Sequence, residues 1–198
     1  MESNRQKAVM RIISGKLKGT TLYIPKDKNT RPLKDIVREN IFNLLTHSNK
    51  ISLELERSNI LDLYSGTGSF GLECLSRKAE SVCFVESKKS AIEVLEKNIK
   101  KLKVENKIKI FFSDVFDLIE NKNVLKLKFN LIFCDPPYKD TNIGKLIKLI
   151  FDKNLIIKNG IIIIHRNKNT KEKFPHHFEI LEEKIYGISK IIFGKFLS

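Results

Sequence analysis

Asn59-Ile60-Leu61-Asp62-Leu63-Tyr64-Ser65-Gly66-Thr67-Gly68-Ser69-Phe70-Gly71 is the stretch that decides the fold. Its apolar opening, residues 59–64, reads as a buried strand, and residues 71–77 continue as a helix. Between them Gly66-Thr67-Gly68-Ser69-Phe70-Gly71 fits the G-x-G-x-x-G spacing. Glycines there let the backbone turn tightly and approach a ligand with no Cβ in the way. Glu86 stands about 20 residues on, at the tip of the next expected strand, where a carboxylate can accept both hydroxyls of a ribose. The loop and Glu86 suit NAD, FAD and S-adenosylmethionine equally.

Working outward, strands are expected at 81–86, 107–112, 129–134 and 160–165, with helices at 90–102 and 143–151. The near-continuous apolar character of these strands requires cover on both faces, which is the parallel α/β case. The end differs. Residues 178–185 and 188–196 flank Tyr186-Gly187, a connection so short that the two strands must be antiparallel. The expected architecture is an α/β, Rossmann-like sheet of seven strands with an antiparallel C-terminal pair. Ahead of it, residues 9–24 read as a hairpin around Gly15 and Gly19. Thr30-Arg31-Pro32 then opens a helix over 32–46, since proline suits a first helical turn.

Composition narrows the class. The chain has 198 residues, 41% of them apolar, which supports a real core and excludes disorder. Nine glycines and three cysteines exclude collagen-like and disulfide-stapled folds. No apolar run approaches the roughly 18 residues of a membrane span, and the first residues lack the apolar region of a secretory signal. Cys74, Cys83 and Cys134 have no metal-binding spacing and read as reduced core thiols in a cytoplasmic protein. Lys and Arg number 37 against 23 Asp and Glu, a net charge of +14. Such an excess points to a polyanion, most simply nucleic acid. A competing reading is mutation bias, since an AT-rich coding sequence alone would produce heavy use of Lys, Ile and Asn.

Two features separate the cofactors. Asp62 sits at the strand end, four residues before Gly66. A carboxylate in that crevice repels a pyrophosphate but suits the amino group and sulfonium of S-adenosylmethionine. Ser113-Asp114-Val115 follows the third strand of the sheet. Asp114 there can accept from an adenine amine, with the Val115 N–H serving a ring nitrogen; alternatively Asp114 caps the following turn.

The second informative stretch is Leu131-Ile132-Phe133-Cys134-Asp135-Pro136-Pro137-Tyr138. An apolar strand runs into Asp-Pro-Pro-Tyr, and in an open α/β sheet such a tip lies at the ligand crevice beside the first strand. An exocyclic amine on a base is a poor nucleophile, because its lone pair is delocalised into the ring. Two acceptors on its hydrogens favour the pyramidal, nucleophilic form: the Asp135 carboxylate and the Pro136 carbonyl. Pro136 and Pro137 donate no N–H, so the loop presents acceptors. Tyr138 offers a face on which the base stacks, worth ~1–3 kcal/mol. No metal is expected.

These motifs resemble those of the RsmD family. The likeness runs nearly the whole length. It includes Arg11-Ile12-Ile13-Ser14-Gly15 and Lys18-Gly19, then Thr30-Arg31-Pro32 with the helix from Val37 to Asn43, the cofactor loop through Gly71-Leu72-Glu73, and Asp135-Pro136-Pro137-Tyr138. The last two motifs occur in many amino-methyltransferases; the opening segment and Arg38-Glu39 narrow the likeness to this family. Two departures are Cys74, where a small alanine is expected, and Lys78, where glycine is usual. The resemblance implies methylation of the N2 amine of one guanine in 16S rRNA, presented on the assembled or assembling small ribosomal subunit, by an enzyme read here as a monomer. Adenine-N6 methylation of DNA or RNA, a nicotinamide-dependent oxidoreductase and a non-catalytic RNA-binding module are the rival readings. Residues 1–50 are expected to form an RNA-contacting extension, and residues 51–198 the methyltransferase domain.

Arg11, Lys16, Lys18, Arg31 and Arg38 are the expected RNA contacts, neutralising phosphates. For Arg38 an equal alternative is structural, bracing its helix over the cofactor pocket. His47, His165, His176 and His177 have no ligand spacing to one another or to cysteine and read as structural or surface residues.

Overall fold

The computed structural model describes residues 10–25, 33–121 and 125–197. The chain opens with a hairpin of β1 (Met10–Arg11) and β2 (Thr21–Leu22), followed by α1 (Asp35–His47). Then come β3 (Asn59–Leu63), α2 (Ser69–Ser76), β4 (Ser81–Glu86), α3 (Lys89–Leu102), β5 (Ile108–Phe112), α4 (Val115–Glu120) and β6 (Phe129–Cys134). The last elements are α5 (Ile143–Asp152), β7 (Ile156–Asn167), β8 (Phe178–Tyr186) and β9 (Ser189–Phe196).

The sheet order is β5-β4-β3-β6-β7-β9-β8. Strands β5 to β7 pair in parallel, and β9 runs antiparallel to both β7 and β8. The chain builds outward from β3 to β5 and then returns to lay β6 on the other side of β3. That reversal opens a crevice at the tips of β3 and β6, the place where open α/β sheets take ligands.

Side-chain alternation explains why the strands read as continuous apolar runs. Ile60, Leu131, Phe133, Ile161 and Ile163 point into one core; Leu61, Leu63, Ile132, Cys134, Ile162 and Ile164 point into the other. The hairpin, α1, α2 and α3 cover the first face, and α4 with α5 the second. Phe42 of α1, Phe70 of α2 and Phe133 of β6 form one stack, with centroids 5.2 and 3.9 Å apart. The hairpin and α1 therefore share a core with the sheet. Cys74, Cys83 and Cys134 are buried. Among the described residues no helix is long and apolar enough to cross a membrane.

Several boundaries differ from the sequence reading. Helix α1 starts at Asp35 rather than residue 32; Thr30, Arg31 and Pro32 lie outside the described residues. Strand β7 starts at Ile156 rather than residue 160, with a bulge where its pairing to β6 passes from Phe129–Ile156 to Leu131–Ile161. Lys78, where glycine is usual, has φ +73°, a left-handed conformation that glycine adopts without a Cβ clash.

Candidate active site

The glycine loop is built by two demands. Gly66 and Gly68 have φ of +54° and +78°, which side-chain-bearing residues disfavour. A Cβ on Gly68 would also lie 2.3 Å from Leu95, and one on Gly71 would lie 2.4 Å from the Phe84 ring. The turn thus needs Gly66 and Gly68 for conformation, and Gly68 and Gly71 for the approach of α2 to α3 and β4. Tyr64, at the strand tip, carries φ +58° without being glycine, so local strain marks this corner.

The tips of β3, β4 and β6 and the end of β7 enclose a cavity of 380 Å³. Asp62, Ser65, Gly66, Thr67 and Glu86 line one side. Asp135, Pro136, Pro137 and Tyr138 line the other. The sequence-derived halves of the site therefore meet in one space, of the size that takes a small ligand.

Asp62 is buried, and its Oδ2 accepts the Gly71 N–H at 3.0 Å, so the carboxylate fastens the start of α2. Burial pushes its carboxyl well above the usual carboxylate range; the Gly71 amide opposes this, and the nearby Asp135 and Glu86 charges add to it. Glu86 accepts from the Gly66 N–H at 2.8 Å through Oε2, and from Ser87 and Lys88 through Oε1. Three acidic side chains, Asp62, Glu86 and Asp135, line this cavity together with Lys34 and Lys88.

Not every expected residue reaches the cavity. Asp114 caps α4, its Oδ1 accepting from Phe116 at 2.7 Å and from Asp117 at 3.4 Å. Asp114 is exposed and Val115 buried, and neither lines this cavity. Gly68 also stands back from it, spent on the turn. Arg11, Lys16 and Lys18 are exposed on the hairpin. Arg31 lies outside the described residues.

Arg38 corrects the RNA-contact expectation. Its side chain is 0% exposed, and it donates to Asp35 Oδ1 at 2.9 Å and to the Arg11 carbonyl. A guanidinium sealed between α1 and β1 cannot reach a phosphate. It braces the hairpin against the helix, and burial lowers its affinity for the proton despite Asp35 and Glu73 nearby.

His165 is the second correction. Read as structural or surface, it lines the cavity at 6% exposure. Its Nδ1 lies 2.8 Å from Asp135 Oδ1, and its Nε2 lies 2.9 Å from Ser189 Oγ and 3.2 Å from Tyr138 Oη. The signal was parallel pairing: Cys134 of β6 faces Ile164 of β7, which sets Asp135 and His165 side by side one residue later.

Arg166 and Glu172 were also missed. Arg166 is 1% exposed; it donates to Glu172 at 2.6 Å, to the Pro137 carbonyl at 3.0 Å and to the Asp140 carbonyl. One planar guanidinium thus clamps the Asp-Pro-Pro-Tyr loop at two carbonyls. On the other side, buried Asn98 of α3 donates to the Thr67 carbonyl at 3.2 Å and bonds both backbone groups of Tyr23.

The family described as Conserved hypothetical protein 95 matches residues 10–195. The chain belongs to this family, the RsmD family. It is 32% identical over 178 residues to the Ribosomal RNA small subunit methyltransferase D of Buchnera aphidicola subsp. Baizongia pistaciae, covering 88% of this chain and 86% of that one. It is 28% identical over 179 residues to the protein of the same name from Escherichia coli strain K12, covering 90% and 85%. The solved chain of yhhF from Escherichia coli superposes with a TM-score of 0.82 at 24% identity, covering 96% of this chain and 99% of that one; it shares the fold.

Proposed function

We propose that this chain transfers a methyl group from S-adenosylmethionine to the exocyclic N2 of one guanine in 16S rRNA. The coarser statement, an rRNA methyltransferase using S-adenosylmethionine, rests on the family and its named members. The guanine amine, the small-subunit context, a cytoplasmic location and a monomeric enzyme are this reading's own.

The residues present fit the cofactor. Ser65 Oγ is buried against the cavity with no hydrogen-bond partner among the described residues, so a ligand's polar group would satisfy it. Asp62 suits the amino group, Glu86 suits the ribose hydroxyls, and the Asp114–Val115 corner suits the adenine edge. The bound cofactor supplies an electrophilic methyl group on a positively charged sulfur.

The single observation carrying the base site is that Asp135 and Tyr138 line the cavity that Asp62 and Glu86 also line. The Pro137 carbonyl is taken up by Arg166 at 3.0 Å and Asp140 N–H at 2.8 Å, which points to the Pro136 carbonyl as the second acceptor for the amine. With both hydrogens held, the nitrogen lone pair is free to form the new C–N bond. The C–S pair stays on sulfur, and the nitrogen sheds one proton to the Asp135 carboxylate. Holding the two reactants in line supplies up to ~7–11 kcal/mol of the barrier. The target base must leave its stack to reach Tyr138, while Arg11, Lys16 and Lys18 hold the flanking backbone.

Small subunits from cells lacking this gene, incubated with the protein and labelled cofactor, test the reading beside naked rRNA. Nucleoside mass spectrometry is expected to find N2-methylguanosine at one position. N6-methyladenosine, or no methylated guanosine, would overturn it.

A further inference from the structure

His165 is left without a task by the reading above, although all its hydrogen-bond partners line the cavity. It projects from near the end of β7, between the Asp-Pro-Pro-Tyr loop and the start of β9. Asp135 Oδ1 stands 2.8 Å from Nδ1, and Ser189 Oγ and Tyr138 Oη stand 2.9 and 3.2 Å from Nε2. An ionised carboxylate only accepts hydrogen bonds, so Nδ1 carries the hydrogen. In the neutral ring Nε2 is then a bare acceptor, and the two groups facing it are hydroxyl donors. The partners' chemistry therefore selects one tautomer. The Tyr138 and His165 rings meet edge to face, at 5.6 Å and 81°.

We infer that His165 is a positioning residue for methyl transfer, a single imidazole that ties the Asp135 carboxylate to the Tyr138 ring. The inference rests on the reading that Asp135 holds the amine and Tyr138 stacks the base. The bond to Nδ1–H occupies Oδ1 and leaves Oδ2 for the amine. The bond at Nε2 fixes the tilt of the stacking ring. The amine acceptor and the stacking face thus move together, and the angle between them is set before substrate arrives.

A pH consequence follows from the charges around the ring. Asp135 and Tyr138 face it from the loop after β6, and Ser189 from β9. Its neighbours Arg166 and Lys190 point away, to Glu172 and the Thr170 carbonyl. Asp62 and Glu86 stand elsewhere on the cavity wall. Protonation at Nε2 turns the acceptor into a donor, breaks the pattern with both hydroxyls, and sets a positive charge beside Asp135 in a cavity that takes a cationic methyl donor. Turnover at saturating cofactor therefore falls on the acid side.

The test uses three variants of the full chain, with turnover, cofactor affinity by calorimetry and thermal midpoint measured for each. In His165→Asn the side-chain amide sits where Nδ1 was and still donates to Asp135 but leaves Tyr138 without its acceptor; it is expected to hold kcat about tenfold above that of His165→Ala and to lose the acid limb of the kcat profile. In His165→Gln the amide sits where Nε2 was, and in His165→Ala there is none; both are expected to lose about 100-fold in kcat with cofactor affinity unchanged within twofold. Wild-type kcat in His165→Ala, or an acid limb unchanged in His165→Asn, would overturn the inference. Cofactor affinity lost in parallel with turnover would make the role structural and overturn it too. Long-range ¹H–¹⁵N NMR of the free protein separates this failure from failure of the proposed function, because it needs no substrate. The Nδ1–H tautomer is expected, and an Nε2–H ring would refute the inference while leaving the methyl-transfer reading intact.

Discussion

Glu73 of α2 accepts the Ile13 amide at 2.7 Å, across 60 residues of chain. Its other oxygen accepts from Ser14 at 3.0 Å and from Arg77 Nε at 2.9 Å, and the carboxylate is fully buried. Ser76, one turn on, accepts the Leu17 amide at 3.0 Å, and its carbonyl takes the Lys16 amide at 2.8 Å. A Cβ on Gly15 would lie 2.0 Å from that carbonyl. The Arg11-Ile12-Ile13-Ser14-Gly15 motif is thus a strap stitched to α2, the helix that begins at the cofactor loop. Glu73→Ala strips a half-buried cation, Arg77, and two amides of their partner. It is expected to cost about 3 kcal/mol in chemical denaturation, and a loss under 1 kcal/mol would show that the strap holds without it.

Asp62 carries a pH signature. Its carboxyl is held above the usual range first by burial, so the folded chain keeps a proton there that the unfolded chain gives up near pH 3.9. Stability is therefore greatest below that value and falls as pH rises through the raised folded one. Asp62→Asn keeps an oxygen for the Gly71 amide and removes the buried ionisable group. The ligand-free variant is expected to gain about 1–2 kcal/mol at neutral pH and to bind S-adenosylmethionine at least about tenfold more weakly, about 1.4 kcal/mol. Calorimetry in buffers of different ionisation enthalpy should also show a proton released as the cationic cofactor binds the wild type. Uptake, or no proton at all, would contradict this account of Asp62.

Arg166 should matter to the loop more than to the cofactor. Arg166→Lys keeps the charge but loses the planar fork that reaches Glu172, Pro137 and Asp140 together. Its kcat is expected to fall about 10–100-fold, because the loop that carries Asp135 and Tyr138 is no longer held in place. Binding of S-adenosylhomocysteine is expected to stay within twofold, and equal losses in both would place the effect on the whole fold.

Most of this site was legible in the sequence, because strand tips are where local pattern and chemistry coincide. Asp62, the glycines, Glu86 and Asp135 to Tyr138 each follow an apolar strand, and their neighbourhood follows from the order of strands. Residues whose role depends on what lies across a strand pair were not legible. His165 ends an apolar run like many others, and it meets Asp135 only because β6 and β7 pair in register. Arg38 left an RNA contact and a brace equally open, and Arg166 did not stand out in a chain with 37 Lys and Arg, yet both are buried. Asp114 fitted two roles by position alone, and the short helix α4 shows the capping one, made through Oδ1.

Arg11, Lys16 and Lys18 are exposed on the hairpin and suit phosphate contacts. Changing all three to glutamine is expected to raise the RNA KM and to make the plot of log affinity against log salt shallower by about 2, with S-adenosylmethionine affinity unaltered. An unchanged salt slope would move the RNA path elsewhere.

On the proposed function the tips of β3 and β6 form one site, with the methyl donor and the base meeting between Asp62 and Asp135. A crystal of the protein soaked with S-adenosylhomocysteine tests this most directly. The amino acid end should lie by Asp62, the ribose by Glu86, and the sulfur should face the space before Asp135 and Tyr138. A ligand bound outside this cavity, or with its sulfur turned away from Asp135, would contradict it.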